Sequence, residues 1–134
     1  MAALPASATA PHGQGEDPTF AELLALRPQL TMDPSAGLMM EGVALAAIAR
    51  AHGTPTWVYS AGTLRRRLGL LQGALDDARA KAQVHFAVKA KPNRAVLRNL
   101  AKAGAGADVV SEGELRLARA AGIAADHFVF SGVG

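Results

Sequence analysis

The stretch Val84-His85-Phe86-Ala87-Val88-Lys89-Ala90-Lys91-Pro92-Asn93, together with the residues after it as far as Phe130, decides the fold. Val84 to Val88 has the short, apolar, β-branched and aromatic make-up of a strand, and Asn93 to Ala103 continues as a helix. Ala107 to Val110 then reads as a strand, Glu112 to Ala121 as a helix and Phe128 to Phe130 as a strand. The order is βαβαβ. Both helices are crossovers, so the strands are expected to be parallel with right-handed connections, which makes the fold class α/β.

Working back towards the start, Leu64, Leu68, Leu71 and Leu75 step by four, three and four, one apolar face of a helix that Thr63 is expected to cap and that runs to about Arg79. Thr56 to Tyr59 has strand propensity. Gly37 to Glu41 reads as a strand, followed by a helix ending at Gly53. Phe20 to Leu30 reads as a short, weakly specified helix, with Pro28 and Pro34 breaking the chain around its end. Residues 1–18, rich in Ala, Pro, Ser, Thr and Gly without periodicity, are expected to form a disordered leader. The domains predicted are therefore a leader over 1–18, an entry segment over 19–62 and the start of the α/β unit over 63–134.

The whole chain has 134 residues, a net charge of +3 and no cysteine. Missing thiols exclude a disulfide scaffold or a thiolate metal site and agree with a reducing compartment, and because the opening residues also lack the basic and apolar regions of a secretory signal the chain is read as cytoplasmic. There is no run of about 18 apolar residues, so no membrane span is expected. Ten arginines and four lysines are spread over several segments. That is too dilute for a nucleic-acid stripe, and the single run, Arg65 to Arg67, fans around a helix as a solvated face. No pair of histidines or carboxylates has metal-ligand spacing, and Gly104-Ala105-Gly106 lacks the third glycine of a dinucleotide fingerprint.

Lys89 is the residue to explain. Side chains alternate along a strand, so Val84, Phe86 and Val88 share the helix-covered face while His85, Ala87 and Lys89 share the other. Lys89 then sits at the carboxyl end of its strand, where α/β folds build their sites, with the small Ala87 one step below leaving room for a flat ligand. Partial desolvation there would lower its basicity and make the free amine a nucleophile for carbonyl groups. The competing reading is a lysine that snorkels from the strand end to pair with a carboxylate. Asp108, on the next strand, could hold the amine or orient its proton, or be a surface aspartate near a strand start. Ser111 and Glu114 have capping-box spacing, which gives both an ordinary role at the start of the helix behind them. His85 reads as a core histidine with a satisfied hydrogen bond.

HFAVKAKPN (85–93), AVLRNLAKAGAGADVVSEGEL (95–115), AAGI (120–123) and VFSGVG (129–134), with EGVALAAIARAHGTPTWVYSAGTLRRRL (41–68) upstream, resemble the start of the diaminopimelate decarboxylase family. These are pyridoxal-phosphate decarboxylases on an alanine racemase-like (β/α)8 barrel, and the resemblance covers about residues 37 to 134. It implies that Lys89 carries pyridoxal 5'-phosphate, that Ala87 lies against the cofactor, and that Asp108 and Glu114 stand near the lysine. The implied reaction converts meso-2,6-diaminopimelate to L-lysine and carbon dioxide, in a homodimer acting on a small amino acid. It also implies that the strand of the entry segment joins a separate β domain near the end of the family's chain. Lys91 stands where many relatives have asparagine and Glu112 where many have glycine. The family's phosphate-binding loop, the glutamate at the pyridine nitrogen and the cysteine and tyrosine from a partner subunit lie later in its chain. A complete barrel takes about 250 residues; three strands lead us to expect an N-terminal fragment that is inactive alone. The rivals are a barrel decarboxylase for ornithine or arginine and a non-catalytic cofactor-binding protein. A racemase is disfavoured, because its lysine is typically followed by Asp-Ala-Tyr-Gly, whereas Ala-Lys-Pro-Asn stands after the lysine here.

Overall fold

The computed structural model describes residues 17–133, so all but the last two residues of the expected leader lie outside the described residues. Two three-stranded sheets form, one antiparallel and one parallel.

The parallel sheet carries the βαβαβ unit: β4 (His85–Ala87), α4 (Arg94–Lys102), β5 (Gly106–Val109), α5 (Glu112–Ala120) and β6 (Phe128–Phe130), in strand order β4-β5-β6. Register pairs Phe86 with Ala107 and Ala107 with Phe128, which sets these three on one face. Ala87, Asp108 and Val129 pair in the same way and share the other. The helices cover the first face. Val88, Leu97, Ala107, Val109, Ala118, Ala121 and Ile123 form its buried core, with Phe86 and Phe128 packed against it. Asn93 caps α4 by accepting from the amides of Ala95 and Val96 (2.9 and 3.2 Å). Gly104 and Gly122 lie just past α4 and α5 at φ 89° and 98°, a left-handed conformation that a side chain would strain.

The first strand is shorter than the sequence predicts. It ends at Ala87, and Val88–Ala90 make one turn of 3-10 helix closed by Lys91 N donating to Val88 O at 3.1 Å. The chain has to leave the sheet here to reach α4, and the turn does this while keeping Val88 fully buried.

Ahead of this unit lies α3 (Ala61–Asp77), which packs on α4 through Leu68, Val96 and Leu100, with Leu64 alongside. Its cap is Ser60, not Thr63: Ser60 Oγ accepts from the Thr63 amide at 2.8 Å and donates to Glu41 Oε1 at 2.8 Å. The leucine stripe is only half covered, since Leu68 is buried and Leu71 remains 50 % exposed. Thr56 to Tyr59 forms no strand, because no neighbouring edge pairs with it among the described residues, and Trp57 is 88 % exposed.

The antiparallel sheet holds β1 (Leu30–Asp33), β2 (Gly37–Met40) and β3 (Val43–Ala44), followed by α2 (Leu45–His52), with the short α1 (Phe20–Ala25) before them. The expected strand and helix are present at 37–53, but β1 and β3 are additions. Asp33 closes the β1–β2 loop by accepting from the amides of Ser35 and Ala36, bonds that hold its carboxyl below the usual carboxylate range. Glu41 and Gly42, at φ 49° and 80°, make the two-residue turn into β3. Met39 to Val43 pairs within this sheet and not with β4.

Gly106 has a specific reason to be glycine. A Cβ there would lie 2.5 Å from His85 Cδ2 and 2.7 Å from the His127 carbonyl oxygen. Gly106→Ala should therefore cost about 1–3 kcal/mol of stability through overpacking. Urea unfolding would check this, and an unchanged midpoint would show that the His85 ring is not wedged there.

Candidate functional site

All three strands of the parallel sheet run the same way, so Lys89, Ser111 and Ser131 emerge from the same edge, the carboxyl edge where α/β sheets bind ligands. The face away from the helices carries His85, Ala87, Asp108 and Val129, with Ala87 in register against Asp108.

Lys89 is exposed. The alternation argument for Lys89 is corrected: the strand stops at Ala87, and the 3-10 turn, not the pleat, places this side chain. The snorkelling contact with a carboxylate is not made. Lys89 takes part in no ion pair or side-chain hydrogen bond among the described residues, where the one ion pair is Arg116–Glu112 at 2.7 Å. Its amine is available to a ligand.

Asp108 is half-buried, and its carboxylate does not hold the Lys89 amine. Ser131 Oγ donates to Asp108 Oδ1 at 2.5 Å, a short contact of the kind a charged acceptor makes. Asp108 Oδ2 has no hydrogen-bond partner among the described residues. Glu114 is also half-buried, and its Oε2 accepts from the Val110 amide at 2.8 Å. Ser111 Oγ accepts from the Glu114 amide at 3.3 Å. The pair caps α5 as its spacing predicts, with the glutamate reaching back one residue further than a standard capping box. His85 is half-buried and belongs to neither buried core, so the core-histidine reading is corrected, although its Nδ1 does lie 3.3 Å from the Gln83 carbonyl.

Ser131 is the site residue that sequence reasoning missed. It stands two residues after Val129, a spacing that brings its side chain to the face of Asp108 only in the register that β5 and β6 adopt. The Nζ of Lys91 sits 4.5 Å from the centre of the Tyr59 ring, in a recess also lined by Trp57, Leu64 and Asn93. That recess does not include Lys89.

No described residues form a group of three or more metal-ligating side chains, and no described helix is long and apolar enough to cross a membrane. Residues 61–134 match the family model described as the pyridoxal-binding domain of pyridoxal-dependent decarboxylases. The chain belongs to this family. The decarboxylase match opens at the first residue of α3 and takes in the whole parallel sheet. Among its relatives, the diaminopimelate decarboxylase of Zymomonas mobilis is 50 % identical over 98 residues, covering 72 % of this chain and 23 % of its own length. That of Aquifex aeolicus is 42 % identical over 97 residues, 72 % of this chain and 22 % of the relative. A crystal structure from Aquifex aeolicus superposes with a TM-score of 0.73 at 39 % identity, over 84 % of this chain and 27 % of that one. The diaminopimelate decarboxylase of M. jannaschii in complex with L-lysine does so at 0.70 and 30 % identity, over 78 % and 25 %. The chain therefore spans about a quarter of the length of the relatives it matches, and the three parallel strands are part of a pyridoxal-binding barrel.

Proposed function

We propose that these residues supply the lysine-bearing part of a diaminopimelate decarboxylase, which removes one carboxylate from meso-2,6-diaminopimelate to leave L-lysine and carbon dioxide. The observation that carries this is the unpaired amine of Lys89 at the carboxyl edge of β4, two residues after the Ala87 that pairs with Asp108, within a segment half identical to an enzyme of that name. The residues fit pyridoxal 5'-phosphate. The small Ala87 keeps the sheet face low under a flat ring, Lys89 offers a primary amine, and Asp108 offers a carboxylate oxygen with no partner among the described residues.

When bound, the cofactor supplies the electron sink that accepts the pair released as the carbon–carboxylate bond breaks. The chain's own part is narrower. Lys89 tethers the ring through its amine, which must shed a proton before it can attack a carbonyl. Asp108, in register with Ala87 two residues before Lys89, would bring a carboxylate to the same end of the sheet. Glu114, placed near the lysine by the resemblance, here secures the start of α5 and so the edge on which Asp108 sits.

The sheet ends in open edges, with Val129 45 % and Phe130 51 % exposed, so turnover is expected from a closed barrel and not from these strands alone. The β1–β3 sheet would belong with a separate β domain and the working form would be a homodimer, as the family resemblance implies, and the cytoplasm read from the composition would be its compartment. The test offers the intact protein, loaded with pyridoxal phosphate, meso-diaminopimelate, ornithine or arginine in turn. Carbon dioxide with equal L-lysine from the first is expected. Turnover of ornithine or arginine instead, or of none while cofactor is bound, would overturn the proposal.

A further inference from the structure

The Asp108–Ser131 contact joins residues 23 apart in the chain, across two neighbouring strands, and it is the only side-chain hydrogen bond Asp108 makes among the described residues. Ser131 is held for it. Its amide donates to the Val109 carbonyl at 3.0 Å, extending the β5–β6 ladder one step past the last strand residue. Gly132 comes next, where a Cβ would meet the Val110 carbonyl at 2.8 Å and the Phe130 ring at 2.9 Å, so the backbone is drawn in close at this point. The hydroxyl is therefore anchored on one side of Asp108, and Ala87, two residues before Lys89, is in register on the other.

We propose that Ser131 is a positioning residue, whose hydroxyl fixes Oδ1 of Asp108 so that Oδ2 is left to meet the Lys89 nitrogen once the cofactor is attached. The proposal rests on the reading of Lys89 as the cofactor lysine. A carboxylate free to rotate shares its charge with solvent, whereas one pinned by a short hydrogen bond presents it in a constant direction. The other ionisable groups around this edge are engaged elsewhere: Glu114 with the Val110 amide, Glu112 with Arg116, Arg94 with the Ala120 carbonyl and Lys91 with the Tyr59 ring, while His85 lies at the opposite end of β4.

The experiment uses the intact protein loaded with pyridoxal phosphate and follows the visible absorption of the bound cofactor against pH, in the wild type, Ser131→Ala and Ser131→Thr. Losing the hydroxyl should lower the midpoint of the spectral titration by about one pH unit, and threonine, which keeps it, should restore the wild-type midpoint. A purely structural role would lower thermal stability without moving that midpoint. If the alanine variant does not fold, the near-isosteric Ser131→Cys, a weaker donor, should move the midpoint in the same direction. A midpoint unmoved in the folded variant, or moved equally by alanine and threonine, would overturn the proposal. Borohydride reduction of the wild type keeps the two claims apart. A label on Lys89 with an unmoved midpoint sinks only the role of Ser131, while a label elsewhere sinks the reading of Lys89 and this inference with it.

Discussion

Lys89→Ala should abolish covalent attachment of pyridoxal phosphate and with it the visible absorption of the bound cofactor, and should remove nearly all turnover in the intact protein. The loss is a matter of chemistry, since alanine has no nitrogen to join the carbonyl and Lys89→Arg keeps a charge that cannot be shed at working pH. Neither variant should disturb the fold. Lys89 is exposed and makes no side-chain hydrogen bond or ion pair among the described residues, so a surface substitution there should change stability by no more than about 0.5 kcal/mol. Absorbance after dialysis against the cofactor, with a melt alongside, would check both halves. Retained visible absorption in Lys89→Ala would contradict the assignment.

The largest expected effect on stability is at Leu97. This side chain of α4 is fully buried against Val88 and the small residues Ala107, Ala118 and Ala121, which have no length with which to refill the space. Leu97→Ala should cost about 2–5 kcal/mol, while Arg98→Ala on the exposed side of the same helix should stay within about 0.5 kcal/mol. Chemical denaturation would measure the difference, and equal midpoints would mean that the core does not lie under α4. The cost at Leu97 also reaches the site. Val88 begins the turn that carries Lys89, and loosening its packing should weaken cofactor retention as well as the fold.

The βαβαβ order was legible because its punctuation is local. Asn93 and Ser111 cap their helices, Gly104 and Gly122 end them, and Phe128 to Phe130 has strand residues and nothing else. Faces were legible too, since Phe86 and Ala87 point to opposite sides as a period of two demands. What failed was whatever depended on a partner. Thr56 to Tyr59 has the right residues for a strand but no edge to pair with, whereas Leu30 to Asp33, between prolines, becomes a strand because β2 lies alongside. The 3-10 turn at Val88 was hidden because burial of Val88, not a turn signal, dictates it. Within the site, Lys89 could be found from scarcity and position. Ser131 could not, because its bond to Asp108 exists only once the register between β5 and β6 is known.

The central claim is that one lysine among four carries the cofactor. Borohydride reduction of the intact, cofactor-loaded protein, with peptide mass mapping of the product, tests it directly. A single pyridoxyl label on Lys89 is predicted, with Lys91, held over the Tyr59 ring, as the nearby control left unmodified. A label on Lys81, Lys91 or Lys102 in place of Lys89 would contradict it.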